Sequence, residues 1–483
     1  MYSKKYLLLV LTSLIFLPTI TWANSPQQLN LSEAILLALR YSPFVQNAEI
    51  QRVVDKFNLQ LAKNAYEVNY ALEGAANYNN NIQSNDRSES NGASLTPSAT
   101  LNRTPYGTSF QLSEVNTINH TAGGSYYYNP GINLKVTQPL LRGFGKDINM
   151  IPLYNAKDRE LINQLNLKNT LISTITQVIN QYMLLVQAEN TLKTQQISLQ
   201  NSIATRDRYQ ALIKAGRNAP ADLIQFQASV ASQQLTLEQQ QLGVQQTKLV
   251  LLNILGLDPN TTFVIATNAS LPTLSLPSLN ASIELALHSN TNYQTQLINF
   301  RILQRDYVTA KDQQRWQLNL TAQTGVGGAS GGSPNAGLAS LSNGANVNNQ
   351  VGLQLAIPID NLNLKQQTVQ AKNTLEQAKI SLAAAKRQVI SDVTTAYNNL
   401  LSQKQQIKQA QEAIRLANDN LQIAYTKARY GRISAFEVSS LQSALTNTQI
   451  ALINTEENYN STIANFDQTI GITLQRWHVQ IRD

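Results

Sequence analysis

Two stretches of this 483-residue chain, 155–213 and 370–428, contain neither proline nor glycine. Proline removes a backbone donor and clashes with the preceding turn, and glycine is the commonest helix stop, so each stretch can run as one helix. At 1.5 Å per residue that is about 90 Å, far beyond an ordinary globular helix. Apolar residues recur every seven positions along them: Leu400, Ile407, Ile414 and Leu421, with Ala410, Ala417 and Ala424 three residues after the last three, and Leu165, Ile172, Ile179 and Val186. Val438, Leu445, Leu452, Tyr459 and Phe466 form a further seam. Such seams call for coiled-coil packing. Each long stretch stops at a glycine, Gly216 or Gly431, and a second helical pattern of about 35 residues returns from it, which predicts two αα-hairpins.

The hairpins are copies of one another. A shift of 215 places Gly216-Arg217 on Gly431-Arg432, Asp222 on Glu437, Gln227 on Gln442 and Tyr182 on Tyr397. A shift of 248 matches the earlier part, Leu37-Ala38-Leu39 on Leu285-Ala286-Leu287. Each repeat reads as helix, strand, loop, strand, long helix, tight turn, long helix. The first covers 24–256, with a long loop at 79–125 and its tip near 215–222. The second covers 280–472, with a loop at 327–345 and its tip near 430–437. Residues 257–279, with Pro259, Pro272 and Pro277, form an extended bridge between them, and 473–483 a C-terminal segment.

Residues 1–23 have the form of a cleaved export signal: Lys4 and Lys5, an apolar run from Leu7 to Ile20, and Thr21-Trp22-Ala23 as the cleavage site. No later apolar run reaches the ~18 residues a spanning helix needs. Charged residues are only 14% of the chain, which is rich in Gln and Asn and carries a formal net charge of +8. There is no cysteine, hence no disulfide framework, thiolate metal site, cysteine nucleophile or lipid anchor, and the three histidines lie far apart. No Ser/His/Asp or Cys/His constellation presents itself, so neither an enzyme nor a cofactor is expected. The basic residues are dispersed without an aromatic-basic module, which argues against a nucleic-acid partner. Arg142-Gly143-Phe144-Gly145-Lys146 lacks the phosphate-loop pattern and reads as a bend from strand to helix.

Four segments alternate strictly. Val68, Tyr70, Leu72, Ala76 and Tyr78 oppose Asn69, Glu73, Asn77 and Asn79; Tyr126, Tyr128, Ile132, Leu134 and Val136 oppose Asn129, Asn133, Lys135 and Thr137. Trp316, Leu318, Leu320, Ala322 and Val326 oppose Gln317, Asn319, Thr321 and Gln323; Val347, Val351, Leu353, Leu355, Ile357 and Ile359 oppose Asn348, Gln350 and Gln354. Each run is about ten residues, the length of a tilted bilayer-spanning strand, with aromatics near its ends. A soluble sheet with one buried face has the same alternation. The long helices are too extended to cover such a sheet, however, and four strands cannot close a barrel, so a membrane reading requires several copies.

With these features in this order, the chain resembles the TolC family of outer-membrane efflux channels over essentially its whole mature length. The specific segments are Leu31-Ser32-Glu33-Ala34 through Tyr41-Ser42-Pro43, Thr137-Gln138-Pro139-Leu140-Leu141-Arg142-Gly143, and the turns Ala215 to Asp222 and Tyr430 to Glu437. The resemblance implies a mainly α fold with transmembrane β. Three copies would form a 12-stranded β-barrel continuous with a long α-helical coiled-coil barrel. It implies a homotrimer in the outer membrane of a Gram-negative bacterium, its tunnel in the periplasm docking to a periplasmic adaptor and an inner-membrane pump. Either multidrug efflux or type I secretion fits. It places an acidic ring of the periplasmic entrance at Glu437, a tip-closing contact at Asp222, and a second acidic ring of some relatives at Ser440, where this chain has no charge. Arg429 and Arg432 become candidate partners for Asp222 or Glu437, and Gly216, Arg217, Asn218, Gly431, Arg432 and Ile433 candidate adaptor contacts. Asp222 and Glu437 equally suit the first turn of a helix, where a carboxylate favours the dipole. An exported soluble coiled-coil protein remains the alternative; it would explain the heptads and leave the four strands without a role.

Overall fold

The computed structural model of the chain describes residues 27–480 apart from 84–85, 122, 217–219, 267–270, 272–275, 328–331, 345 and 431; the side chains of 27, 83, 86, 87, 222 and 340 are also outside it. The leader expected over 1–23 lies outside the described residues. In chain order the elements are β1 (Gln27–Leu29), α1 (Leu31–Tyr41), α2 (Pro43–Asn64), β2 (Asn69–Gln83), β3 (Asp86–Leu101), β4 (Ser109–Thr121), β5 (Tyr126–Pro139), α3 (Lys146–Asn149), α4 (Ile151–Lys214) and α5 (Ala221–Leu255). There follow β6 (Phe263–Ile265), α6 (Leu279–Ser289), α7 (Thr291–Gln313), β7 (Gln317–Gly327), α8 (Pro334–Ser342), β8 (Asn348–Ala356), α9 (Leu362–Arg429), α10 (Ala435–Ile470) and α11 (Thr473–Arg476). The two proline- and glycine-free stretches lie inside α4 and α9, of 64 and 68 residues.

Two compact units divide the chain. The first holds 27–42, 177–273 and 403–461. Here α4 meets α5, Gln181 Nε2 donating to the Thr247 carbonyl (3.0 Å) and Gln240 Nε2 to that of Ala188 (3.1 Å). It also meets α10, through Gln187 and Asn454 (2.6 Å), Ser198 and Thr446 (3.0 Å), and Ser461 and Asn180 (3.1 Å). The seam residues Ile179, Val186, Leu421 and Val438 are buried. β1 pairs in parallel with β6, and the buried Tyr182 hydroxyl donates to the Leu29 carbonyl at 2.8 Å, tying α4 to that pair. Asn30 and Glu33 form a reciprocal capping box that starts α1, and α5 ends on Gly256 in the left-handed conformation (φ 71°).

The second unit holds 43–176, 274–402 and 462–480. Its centre is a six-stranded antiparallel sheet in the order β2-β3-β4-β5-β7-β8. The four alternating segments are β2, β5, β7 and β8. The loop expected at 79–125 is a correction: it carries the end of β2, the whole of β3 and β4, and their turns. Likewise 327–345 contains α8. The chain therefore brings six strands to the sheet where four were expected. Buried polar contacts join the helices of this unit: Arg52 grips Glu160 (2.6 and 2.9 Å), and Asp158 pairs with Arg301 (3.0 Å) and Arg305. Among the described residues no helix is long and apolar enough to cross a membrane.

Candidate functional site

The two tips are built by the same local physics. α4 ends at Lys214; the Gly216 amide donates to the Ile213 carbonyl (2.9 Å), and Gly216 takes φ 71°, where a Cβ would be strained. Arg217 and Asn218 lie outside the described residues. Pro220 caps α5, and Asp222 is that helix's second residue, its side chain outside the description. In the second tip the Arg432 amide returns to the Lys427 carbonyl (3.0 Å), closing α9, while Gly431 is outside the described residues. The Ser434 hydroxyl accepts from the Glu437 amide (3.2 Å) and starts α10. Glu437 thus sits in the first turn with an exposed carboxylate, and Ser440, Arg429 and Arg432 are exposed near it, Ile433 half-buried. The ion pairs among the described residues include neither Arg429 nor Arg432.

A small core brings the tips together. Tyr209 of α4 and Phe226 of α5 stack with ring centroids 4.3 Å apart, and Ala435 at the start of α10 buries against them. The Arg208 guanidinium lies over the Tyr425 ring at 6.0 Å. Around this core Ile224, Tyr430 and Phe436 are exposed, each to two thirds or more. None of these aromatics is marked by the heptads. The signal that would have found the stack is that Tyr209 and Phe226 lie equally far on either side of the first tip.

The sheet has two chemically distinct faces. Partners that face each other across a ladder share a face, so the register carries one face from strand to strand. Tyr70 of β2 leads to Ala99, Leu112, Leu134 and Thr324, and Ala76 to Ala93, Ile118 and Tyr128. Alongside runs the polar face: Asn77 with Gly92 and Asn119; Ser98 with Ser113, Asn133 and Gly325. β2 and β8 are the two edges, and their apolar residues Tyr70, Leu72, Val351 and Leu353 are strongly exposed. At the end nearest the helices, the Arg142–Gly145 segment is a bend. The Gly143 amide donates to Asp312 Oδ2 (2.8 Å), and Asn149 Nδ2 donates to the carbonyls of Gly143 (2.7 Å) and Gly145 (2.9 Å).

Residues 282–471 match the family described as outer membrane efflux protein. A comparison with curated protein sequences finds no match. Among solved structures the chain is similar to the outer membrane protein VceC from Vibrio cholerae, at 16% identity over 91% of this chain and 96% of that one, with a TM-score of 0.69. It is similar to the CmeC outer membrane channel of Campylobacter jejuni at 14% identity over 94% and 90%, TM-score 0.67. With the open state of the Neisseria gonorrhoeae MtrE outer membrane channel it shares 13% identity over 93% and 91%, TM-score 0.66. At such identities the likeness establishes the fold alone.

Proposed function

We propose, from the membership of residues 282–471 in the outer membrane efflux protein family, that this chain is an outer-membrane channel-tunnel through which exported substrates leave the cell. The observation that carries the reading is the open sheet: one face apolar, the other lined by Asn, Gln, Ser and Thr, and both edges unpaired among the described residues. In a bilayer an unpaired strand edge costs several kcal/mol per backbone group, so such a sheet closes only with further copies. The first unit asks for the same: Leu235, Leu242 and Leu249 recur every seven residues along α5 and are each at least half exposed, a heptad seam without its partner.

In this reading three copies assemble, the export signal over 1–23 is removed, and the helical hairpins form a tunnel in the periplasm. The tips meet an adaptor and an inner-membrane pump. The exposed Ile224, Tyr430 and Phe436 give that contact an apolar part, beside Gly216, Arg217, Asn218, Gly431, Arg432 and Ile433. Three Glu437 carboxylates around the axis would draw cations to the entrance, with Asp222, Arg429 and Arg432 holding the tips to one another. Ser440 leaves the second ring uncharged.

The test is conductance of the purified protein in a planar bilayer, with its mass measured in detergent. Discrete steps from a three-chain species are expected, and Glu437→Ala should move the reversal potential in a salt gradient towards lower cation preference. A species soluble without detergent and silent in the bilayer would instead identify an exported coiled-coil protein. An unmoved reversal potential from an active channel would remove the acidic ring and leave the channel.

A further inference from the structure

The β3–β4 hairpin has no counterpart in the second repeat, where 328–347 connects β7 directly to β8 through α8. Its composition is that of an exposed loop, yet three observations place it in the wall of the sheet. The first is extent. β3 pairs with β2 from Asn69↔Thr100 to Gln83↔Asp86, and β4 with β5 from Ser109↔Thr137 to His120↔Tyr126, so both strands run the full height of their neighbours.

The second is the turn at 102–108. It does not project beyond the sheet but packs on the strand-to-helix bend: Gln138 Nε2 donates to the Tyr106 carbonyl at 3.4 Å, Thr108 bonds to Gln138, and a Cβ on Gly107 would lie 2.5 Å from the Gly143 carbonyl. The hairpin thus starts and ends at the level of the strands around it.

The third is chemistry. Ala93, Leu95 and Ala99 of β3 and Phe110, Leu112 and Ile118 of β4 fall on the face that carries Leu72, Leu134 and Leu320. Ser94, Ser98, Ser113 and Thr117 fall on the face of Asn77, Asn133 and Gln323. Polar residues interrupt that face in two places: at mid-strand, where Asn116 Nδ2 donates to Glu114 Oε1 (3.1 Å) and the Tyr128 hydroxyl to Asn116 Oδ1 (3.4 Å), and at the end far from the helices, where Asn80, Glu89, Asn91 and His120 fall. A hairpin standing in water would have no reason to keep the apolar face in phase with four membrane strands.

We infer that β3 and β4 are membrane-spanning wall strands, their apolar face against lipid acyl chains and their polar face on the lumen. Each copy then supplies six strands and three copies close an eighteen-stranded barrel in place of a twelve-stranded one. Because six is even, β8 of one copy runs antiparallel to β2 of the next, and the last edges pair. The inference rests on the membrane-channel reading above.

The chain has no cysteine, so a single introduced one reports a single place. Leu95→Cys and Leu112→Cys on the apolar face, and Ser94→Cys and Ser113→Cys on the polar face, are each labelled with a fluorophore in vesicles whose acyl chains carry a spin-label quencher. Leu134→Cys of β5 is the reference, and mass in detergent checks assembly. Labels at 95 and 112 should be quenched as strongly as the label at 134. Those at 94 and 113 should ignore the lipid quencher and respond to aqueous iodide. Quenching at 134 with none at 95 and 112 overturns the inference and leaves the channel. Absence of quenching at 134 as well overturns both.

Discussion

At the residue scale the clearest departure from ordinary chemistry is Asp467, near the end of α10. It is 2% exposed, and burial pushes its carboxyl up to about 7, against the pull of Arg476. The Arg476 Nε lies 2.8 Å from Asp467 Oδ2 but is poorly aligned as a hydrogen bond, and Oδ1 has no partner, so the pair recovers little of what burial costs. The group binds its proton more tightly in the fold than near 3.8 in the unfolded chain. Its contribution to stability is therefore full below pH 3.8, declines by about 1.4 kcal/mol per pH unit as the pH rises, and is gone above 7. Asp467→Asn should flatten that decline and raise the unfolding temperature at pH 8, read by circular dichroism of the solubilised protein. A lower temperature at pH 8 would mean that the ion pair outweighs burial. Glu160 works in the opposite sense. Its hydrogen bond to Arg52 holds it below the usual 4.5, so its contribution is present above that value and lost as the pH falls below it.

At the element scale the helical hairpins were legible and half of the sheet was not. α4 and α9 announce themselves through heptads and the absence of proline and glycine, signals that survive at any solvent exposure. β2, β5, β7 and β8 show because their apolar faces use large residues. β3 hides because the apolar residues on that face are few and mostly small, Ala93 and Ala99 around Leu95, because Glu89 and Asn91 share the face, and because Gly92 and Pro97 lie inside the strand. The ladder from β3 to β4 is interrupted between Leu95↔Asn116 and Ser98↔Ser113, around the proline that has no N–H to give. Between neighbours on both sides a strand tolerates that loss, which no local pattern reveals. The tip core was equally hidden, since Tyr209 and Phe226 meet only once the hairpin has turned. Phe226→Ala should cost about 3 kcal/mol locally by opening a cavity there. Hydrogen exchange should then rise over 221–230 and 435–438 and stay unchanged over 171–186. A uniform rise would show that the tip is not a separate unit of stability.

At the scale of the whole molecule, in the channel reading proposed above, the number of strands decides what the barrel lets pass. A barrel's circumference grows with strand number at fixed spacing and tilt. For strands about 4.8 Å apart and tilted about 40°, twelve enclose about 24 Å between backbones and eighteen about 36 Å. Four visibly alternating segments per copy, taken with the threefold assembly that the resemblance implies, gave the smaller barrel; the pairing of six points to the larger. The difference is open to a direct trial, because Ile82 and Tyr126 both fall on the apolar face. Excision of 83–123 would leave Gly124-Ser125 as a two-residue turn between them, a pair suited to a tight hairpin, with β2 free to join β5 in phase. The excised chain should keep its three-chain mass and its helical hairpins. Neutral polymers added from the strand side should enter it only up to a diameter roughly a third smaller than in the intact channel. An unchanged threshold would mean that β3 and β4 stand outside the wall and that the barrel has twelve strands.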